Sequence, residues 1–153
     1  MNIAIFEYAM KALSNMTEMT KKTMDASDPE KYAEGVRKLN YGVDESYAKM
    51  REIVSASDKY SDDEKIEKLK EVAELEMKSK ERCAEAIKGN REHVAKISLE
   101  VLKGFLTCGI SFTPMIVKEI KKAVGGKAEV KELETAMEIV NEISDVSDFT
   151  VYK

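Results

Sequence analysis

The chain holds a single histidine, His93, and histidine is the side chain that most often moves protons or binds metals near neutral pH. A catalytic triad needs this ring beside a nucleophile, and most zinc sites need further ligands. The neighbours of His93 are Arg91, Glu92 and Lys96, and no Glu or His stands at the spacing of a di-iron helix. We therefore expect a surface or helix-capping histidine and no enzyme.

Loops that bind phosphate or calcium are not indicated. The segment Gly125-Gly126-Lys127 lacks the earlier glycine and the following Ser or Thr of a Walker loop, so it is typical of a turn that ends a helix. Acidic residues after the second predicted helix have neither the spacing nor the central glycine of a calcium loop. We predict no cofactor and no metal.

Glu134, Glu138 and Glu142 form a row at helical spacing that repels itself unless cations face it. One interpretation is a site for a divalent metal or a basic partner. We favour a solvated stripe with loose ion pairs, because no His or Asp completes a ligand set.

A lysine cluster precedes and enters that row. It lacks the interleaved aromatic residues of a nucleic-acid surface, and the chain has a net charge of -4, so we predict no nucleic-acid partner. Its members are Lys118, Lys121, Lys122, Lys127 and Lys131.

The composition favours one helical domain that covers residues 1–153. Seven Gly and two Pro are few, which favours long helices, and the two cysteines make neither a disulfide framework nor a metal pattern. The N-terminal apolar run is broken by Glu7 and Lys11, so it does not resemble a secretory signal, and we expect a cytoplasmic protein.

Apolar residues recur at three- and four-residue intervals and predict an all-α, up-down bundle of four to six long helices. The first spans residues 3–24. The second is capped by Asp28, has Pro29 at its first position and extends to Ala56. The tail, residues 144–153, is expected to be frayed or docked.

A capping box formed by Ser61 and Glu64 starts the third helix. Ion pairs such as Glu76–Lys80 are expected to stabilise its solvent-facing side. Gly89-Asn90 either ends this helix or lies within one long helix that continues to Phe112, and we favour a break. The predicted buried stripe of the third helix consists of Ile66, Leu69, Ala73, Met77, Cys83 and Ile87.

Residues 94–117 form the most apolar stretch, and residues 104–117 contain no charge. A helix that is apolar all round is either central or covered by a partner, and Thr113-Pro114 predicts a break or kink. We expect the stretch to be mainly core. The candidate partner-binding residues within it are Leu102, Phe105, Leu106, Ile110, Phe112 and Met115.

These observations favour a non-enzymatic helical domain that binds another protein or forms a homo-oligomer. The alternative is a membrane-active or lipid-binding protein that inserts residues 104–117 as a re-entrant hairpin around Thr113-Pro114. Lys103 and Lys118 would then lie at the membrane interface.

Overall fold

A computed structural model describes residues 3–109, apart from the side chains of Ile3, Phe6, Met10 and Ser14. Within this range the chain forms four α-helices and one short 3₁₀ turn, and no strand. The all-α prediction is confirmed. The helices are α1 (Ile3–Asp25), α2 (Pro29–Ala56), α3 (Asp62–Ile87) and α4 (Val94–Thr107), with the 3₁₀ turn at Arg91–His93.

Two predicted helix starts are confirmed in atomic detail. The Asp28 side chain accepts a hydrogen bond from the Glu30 amide at 3.0 Å, and Pro29 occupies the first position of α2. At the start of α3, the Glu64 amide donates to Ser61 Oγ at 3.2 Å. The Ser61 amide donates to Glu64 Oε1 at 3.1 Å, which completes the capping box. Each cap satisfies backbone amides that have no partner inside the helix.

The helix is interrupted at Gly89, as predicted. Gly89 has a φ of +109°, a left-handed conformation that residues with a Cβ rarely adopt. Its amide donates to the Ala86 carbonyl at 2.9 Å, and the Asn90 amide donates to the Glu85 carbonyl at 3.2 Å. These hydrogen bonds satisfy carbonyl groups in the last turn of α3. The chain then reverses direction, and α4 runs antiparallel to α3.

The helices are arranged as an up-down bundle. Consecutive helices contact each other, α1 contacts α4, and α2 also contacts α4 across the centre. Because the connecting turns are short, neighbouring helices lie antiparallel. Most of α4 is buried, so the prediction that it is the central helix is confirmed for residues 94–107.

The seam of α1 is partly polar. Thr17, Thr20 and Thr23 are buried, and each hydroxyl donates to the carbonyl four residues earlier, at 2.7–2.8 Å. Thr20 Oγ1 also lies 3.0 Å from Ser98 Oγ on α4. Buried hydroxyls are tolerated here because each has a partner.

The predicted buried stripe of α3 is wrong. Ile66, Met77 and Ile87 are 54%, 65% and 44% exposed. Of the predicted residues only Cys83 is fully buried, and Leu69 is half-buried. Two stripes compete on this helix, and the one that contains a serine faces the core because that hydroxyl finds a buried partner. The residues that face the core are Val72, Leu75, Ser79, Cys83 and Ala86.

The end of α4 also differs from the prediction. The helix ends at Thr107, and Gly109 has a φ of +92°. The amide of Cys108 donates to the Gly104 carbonyl at 3.1 Å, and that of Gly109 donates to the Leu106 carbonyl at 3.0 Å. A glycine at this position stops the helix before the expected end near Phe112. Thr113-Pro114 lies outside the described residues.

Candidate functional site

An apolar face of α3 points away from the bundle. Its large members are Ile66, Met77 and Ile87, and the exposed Ala73 and Ala84 lie between them. Successive members are seven, four, seven and three residues apart, which places all five along one side of an α-helix. We call these five residues the α3 outer face.

One edge of the α3 outer face carries four exposed charges of alternating sign. In chain order they are Asp63, Lys70, Glu81 and Lys88, at intervals of seven, eleven and seven residues. At 3.6 residues per turn, these intervals keep all four on the same side of the apolar stripe. These four residues therefore alternate between acid and base along the edge, and the exposed Glu67 and Glu74 lie slightly further round the helix.

The opposite edge holds α3 to α2. Arg51 donates to Glu76 at 2.6 Å, and Lys80 donates to Asp44 at 2.9 Å. The predicted pairing of Glu76 with Lys80 within α3 is thus replaced by two ion pairs between helices. Long side chains at a helix–helix boundary can reach the neighbouring helix as readily as the next turn.

A second feature is a cleft between α3, the 3₁₀ turn and α4. Its volume is about 560 Å³, and Leu75 and Ala84 give part of it an apolar wall. The charged residues of its lining include Arg82 from α3 and Glu100 and Lys103 from α4. We call this the α3–α4 cleft, and its volume is in the range of small-molecule sites.

Glu100 is the most deeply buried charged residue of this cleft, at 8% exposure. Its Oε1 accepts a hydrogen bond from Arg82 Nε at 2.9 Å. Its Oε2 is buried and has no hydrogen-bond partner among the described residues. A buried acceptor without a donor is costly, so this atom is an anomaly in an otherwise satisfied core.

His93 lies in the same cleft. Its Nδ1 is 3.0 Å from Arg82 Nη1, and because a guanidinium can only donate, Nδ1 accepts. The imidazole is 25% exposed and makes no capping bond to α4. The histidine expected at a surface or a cap instead helps to hold Arg82 beside Glu100.

The predicted partner-binding residues separate into three groups. Leu102 and Phe105 are 0% exposed and pack within the core, and Leu106 is half-buried against it. Ile110, Phe112 and Met115 lie outside the described residues, as do the glutamate row, the lysine cluster and the C-terminal tail.

The segment expected to insert into a membrane is described only at its beginning. Gly104 lies so close to α2 that a Cβ there would be 2.6 Å from Met50 Sδ, and Cys108 Sγ is 3.8 Å from the Met50 carbonyl oxygen. None of the described helices is long and apolar enough to span a bilayer. Gly104, Phe105 and Cys108 are buried within the bundle.

The two cysteines are buried free thiols. Burial raises the pKa of Cys83 to about 11 and that of Cys108 to about 12. Because the thiolate is the nucleophile and the metal ligand, both residues are unreactive at neutral pH. Among residues 3–109, no three His, Cys, Asp or Glu side chains are grouped so as to hold a metal ion.

The sequence contained a signal for each feature that was missed. A second stripe is present in α3, but it contains Ser79, and a polar residue at that position indicated a solvent-facing stripe. In α4, Glu100 is a lone carboxylate between Leu99 and Val101, and a charge flanked by apolar residues in a central helix indicates a buried polar contact.

No protein-family model, curated protein or solved structure matches this chain.

Proposed function

We propose that this protein is a non-enzymatic helical self-assembly domain, in which the α3 outer faces of two copies pack against each other. The observation that supports this most is the exposure of Ile66, Met77 and Ile87 on one side of one helix. Exposed apolar residues on one side of a helix, rimmed by charges, are typical of protein–protein contacts.

The spacing of the α3 outer face favours a second copy as the partner. Ile66 and Ile87 lie at equal sequence distances from the point between Glu76 and Met77. In an antiparallel pair with a twofold axis at that point, Met77 packs against its counterpart, and Ile66 packs against Ile87 of the second copy. A contact of this kind uses the same patch on both subunits, as a twofold dimer requires.

The charged edge suits the same arrangement. The antiparallel pair places Asp63 within about 3 Å along the axis of Lys88 of the second copy, and Lys70 equally near Glu81 of the second copy. All four residues lie on the same edge, so that acid meets base at each of these positions. In a parallel twofold pair this edge would instead face the opposite edge of the second copy, so that these four charges would not meet one another.

Small residues allow the helices to approach. Ala73 and Ala84 separate the larger side chains, so that the two helices can interlock as ridges into grooves. Full burial of an Ile or Met side chain contributes roughly 1.5–3 kcal/mol, against an association cost of about 4–15 kcal/mol. Because these side chains are 44–65% exposed in the monomer, roughly half of that gain remains for association, which supports a weak dimer with a Kd on the order of 0.1–1 mM.

Two further elements of the proposal concern reactivity and location. The buried, protonated thiols offer no activated nucleophile, which supports a binding rather than a catalytic role. Free cysteines suit a reducing compartment, and we place the protein in the cytoplasm.

Sedimentation velocity over about two decades of protein concentration, up to about 1 mM, tests the proposal. We expect wild type to convert from monomer to dimer and Met77→Asp to remain monomeric. Because Met77 is 65% exposed, the circular dichroism of the variant should be unchanged. The matched control is Tyr41→Asp on α2, where the side chain is 64% exposed, and this variant should still dimerise. A monomeric wild type, or a Met77→Asp dimer as tight as wild type, would overturn the proposal.

A further inference from the structure

We infer that the α3–α4 cleft binds a small zwitterion of the amino-acid class, with the ammonium group on Glu100 and the carboxylate on Lys78 and Lys103. This inference is tested independently of self-assembly, because Glu100, Lys78 and Lys103 are not part of the proposed contact between two copies, whereas Ala84 and Glu81 are shared by the two surfaces.

The position proposed for the ligand's ammonium group follows from the unpartnered oxygen of Glu100. Glu100 is 8% exposed, Arg82 occupies only its Oε1, and Oε2 lacks a donor among the described residues. A buried carboxylate oxygen is stabilised by an N–H or O–H group, and a charged donor forms the stronger bond. Glu100 lines the cleft, and because Oε2 has almost no accessible surface, a ligand donor reaches this oxygen when the carboxylate turns towards the cleft.

The carboxylate position follows from the cations that line the same cleft. Lys103 lies three residues after Glu100 on α4, and Lys78 lies four residues before Arg82 on α3. Each helix thus presents a lysine one turn from the central ion pair. These exposed amines leave room for an anionic group beside the ammonium.

The net charge of the lining favours a ligand without net charge. Glu81 and Glu85 also line the cleft, so that three carboxylates face Lys78, Lys103 and the guanidinium of Arg82. Glu85 is already engaged, because it accepts a hydrogen bond from Asn90 at 2.6 Å and lies 3.6 Å from Lys88. A simple anion or cation would meet a like charge here, whereas a zwitterion meets opposite charges at both ends.

The apolar wall of the cleft favours an aliphatic side chain on the ligand. Leu75 and Ala84 line the cleft, and its volume of about 560 Å³ holds an aliphatic amino acid with its bridging waters. Arg82 is held on two sides, by Glu100 at 2.9 Å and by His93 at 3.0 Å. The guanidinium of Arg82 is therefore held in place before the ligand binds.

Isothermal titration calorimetry of the full chain with three probes tests the inference. The probes are L-leucine, isopentylamine and 4-methylpentanoate, which are the zwitterion and its two halves. We expect saturable binding of L-leucine and binding at least about tenfold weaker for either half, since each half lacks one charge-assisted contact. Binding of either half as tight as that of L-leucine would overturn the zwitterion assignment, and no saturable binding of any probe would overturn the site.

Variants distinguish this cleft from other surfaces. Glu100→Gln should weaken L-leucine binding about tenfold or more. Since removing a buried charge can also affect folding, Lys103→Gln provides a second variant at an exposed position, and it should weaken L-leucine but not isopentylamine. Lys38→Gln on α2, outside the cleft, is the charge-matched control and should bind like wild type. Unchanged L-leucine affinity in both cleft variants would contradict the inference.

Discussion

Tyr47 Oη lies 2.8 Å from Ser79 Oγ in the centre of the bundle, and it also donates to the Glu100 carbonyl at 3.3 Å. Both side chains are 0% exposed. This contact joins α2, α3 and α4 through one phenol, and burial raises the pKa of that phenol above its ordinary value. It also explains why a serine, rather than an apolar residue, occupies a core position of α3.

Tyr47→Phe should therefore destabilise the protein by roughly 1–3 kcal/mol, because Ser79 and the Glu100 carbonyl lose a buried partner. Urea unfolding followed by circular dichroism measures the change. The matched control is Tyr41→Phe, which removes an exposed hydrogen bond to Glu45 and should cost close to nothing. Equal stabilities of the two variants would contradict the role given to the Tyr47 hydroxyl.

Phe105→Asp tests whether the apolar middle of the chain is core. Phe105 is 0% exposed, so a carboxylate there is buried without a partner and should cost several kcal/mol. We expect lost helicity in circular dichroism, whereas Phe105→Leu should fold and cost about 1.5 kcal/mol or less. A Phe105→Asp protein with full helicity would place this side chain at an interface instead.

The two glycines of α2 should respond differently to alanine. A Cβ at Gly35 would clash with the Thr23 side chain, whose hydroxyl is committed to the Met19 carbonyl at 2.7 Å. Gly35→Ala should therefore destabilise by about 1–3 kcal/mol, despite the higher helix propensity of alanine. At Gly42 the added Cβ would be 3.2 Å from Met16 Cγ, a flexible side chain that can adjust, so Gly42→Ala should be nearly neutral. Thermal unfolding of both variants decides this, and a neutral Gly35→Ala would show that α1 and α2 are not closely packed there.

The buried thiols make stability fall at high pH. The folded-state pKa values of Cys83 and Cys108, about 11 and 12, exceed the ordinary value of 9.0. Their contribution is thus complete below pH 9 and is lost as the pH rises from 9 towards 11 and 12. We expect the unfolding free energy of wild type to fall over this window more steeply than that of a Cys83→Ala, Cys108→Ala variant. Parallel curves would show that other groups govern the alkaline response.

A disulfide reagent tests the same burial at neutral pH. Native protein should react slowly with it and urea-unfolded protein rapidly, because the thiolate is scarce and covered only in the folded state. Rapid reaction of two thiols in the native protein would show that Cys83 and Cys108 are accessible.

Features that depend on local chemistry were predictable from the sequence. The caps at Asp28 and Ser61 and the break at Gly89 each use a few adjacent residues whose hydrogen bonds or φ preference act at that point. The spacing of the apolar residues likewise predicted the helices and the burial of α4.

Features that depend on distant partners were missed or predicted wrongly. Ser79 is buried because Tyr47, thirty-two residues away, meets its hydroxyl, so apolar periodicity assigned the wrong face of α3. The α3–α4 cleft was missed for the same reason, since Arg82 and Glu100 pair only across two helices. The end of α4 was misplaced because the glycine at position 109 acts before the proline at position 114.

Reversal of the charges on the edge of α3 tests most directly whether two copies pair antiparallel through this helix. Lys70→Glu and Glu81→Lys should each weaken the dimer roughly fivefold to thirtyfold, because each replaces two attractive contacts with two repulsive ones. The double variant restores opposite charges at both positions, and its Kd, measured by sedimentation equilibrium, should return to nearly that of wild type. Additive weakening in the double variant, or no effect of either single change, would contradict the antiparallel pairing of α3.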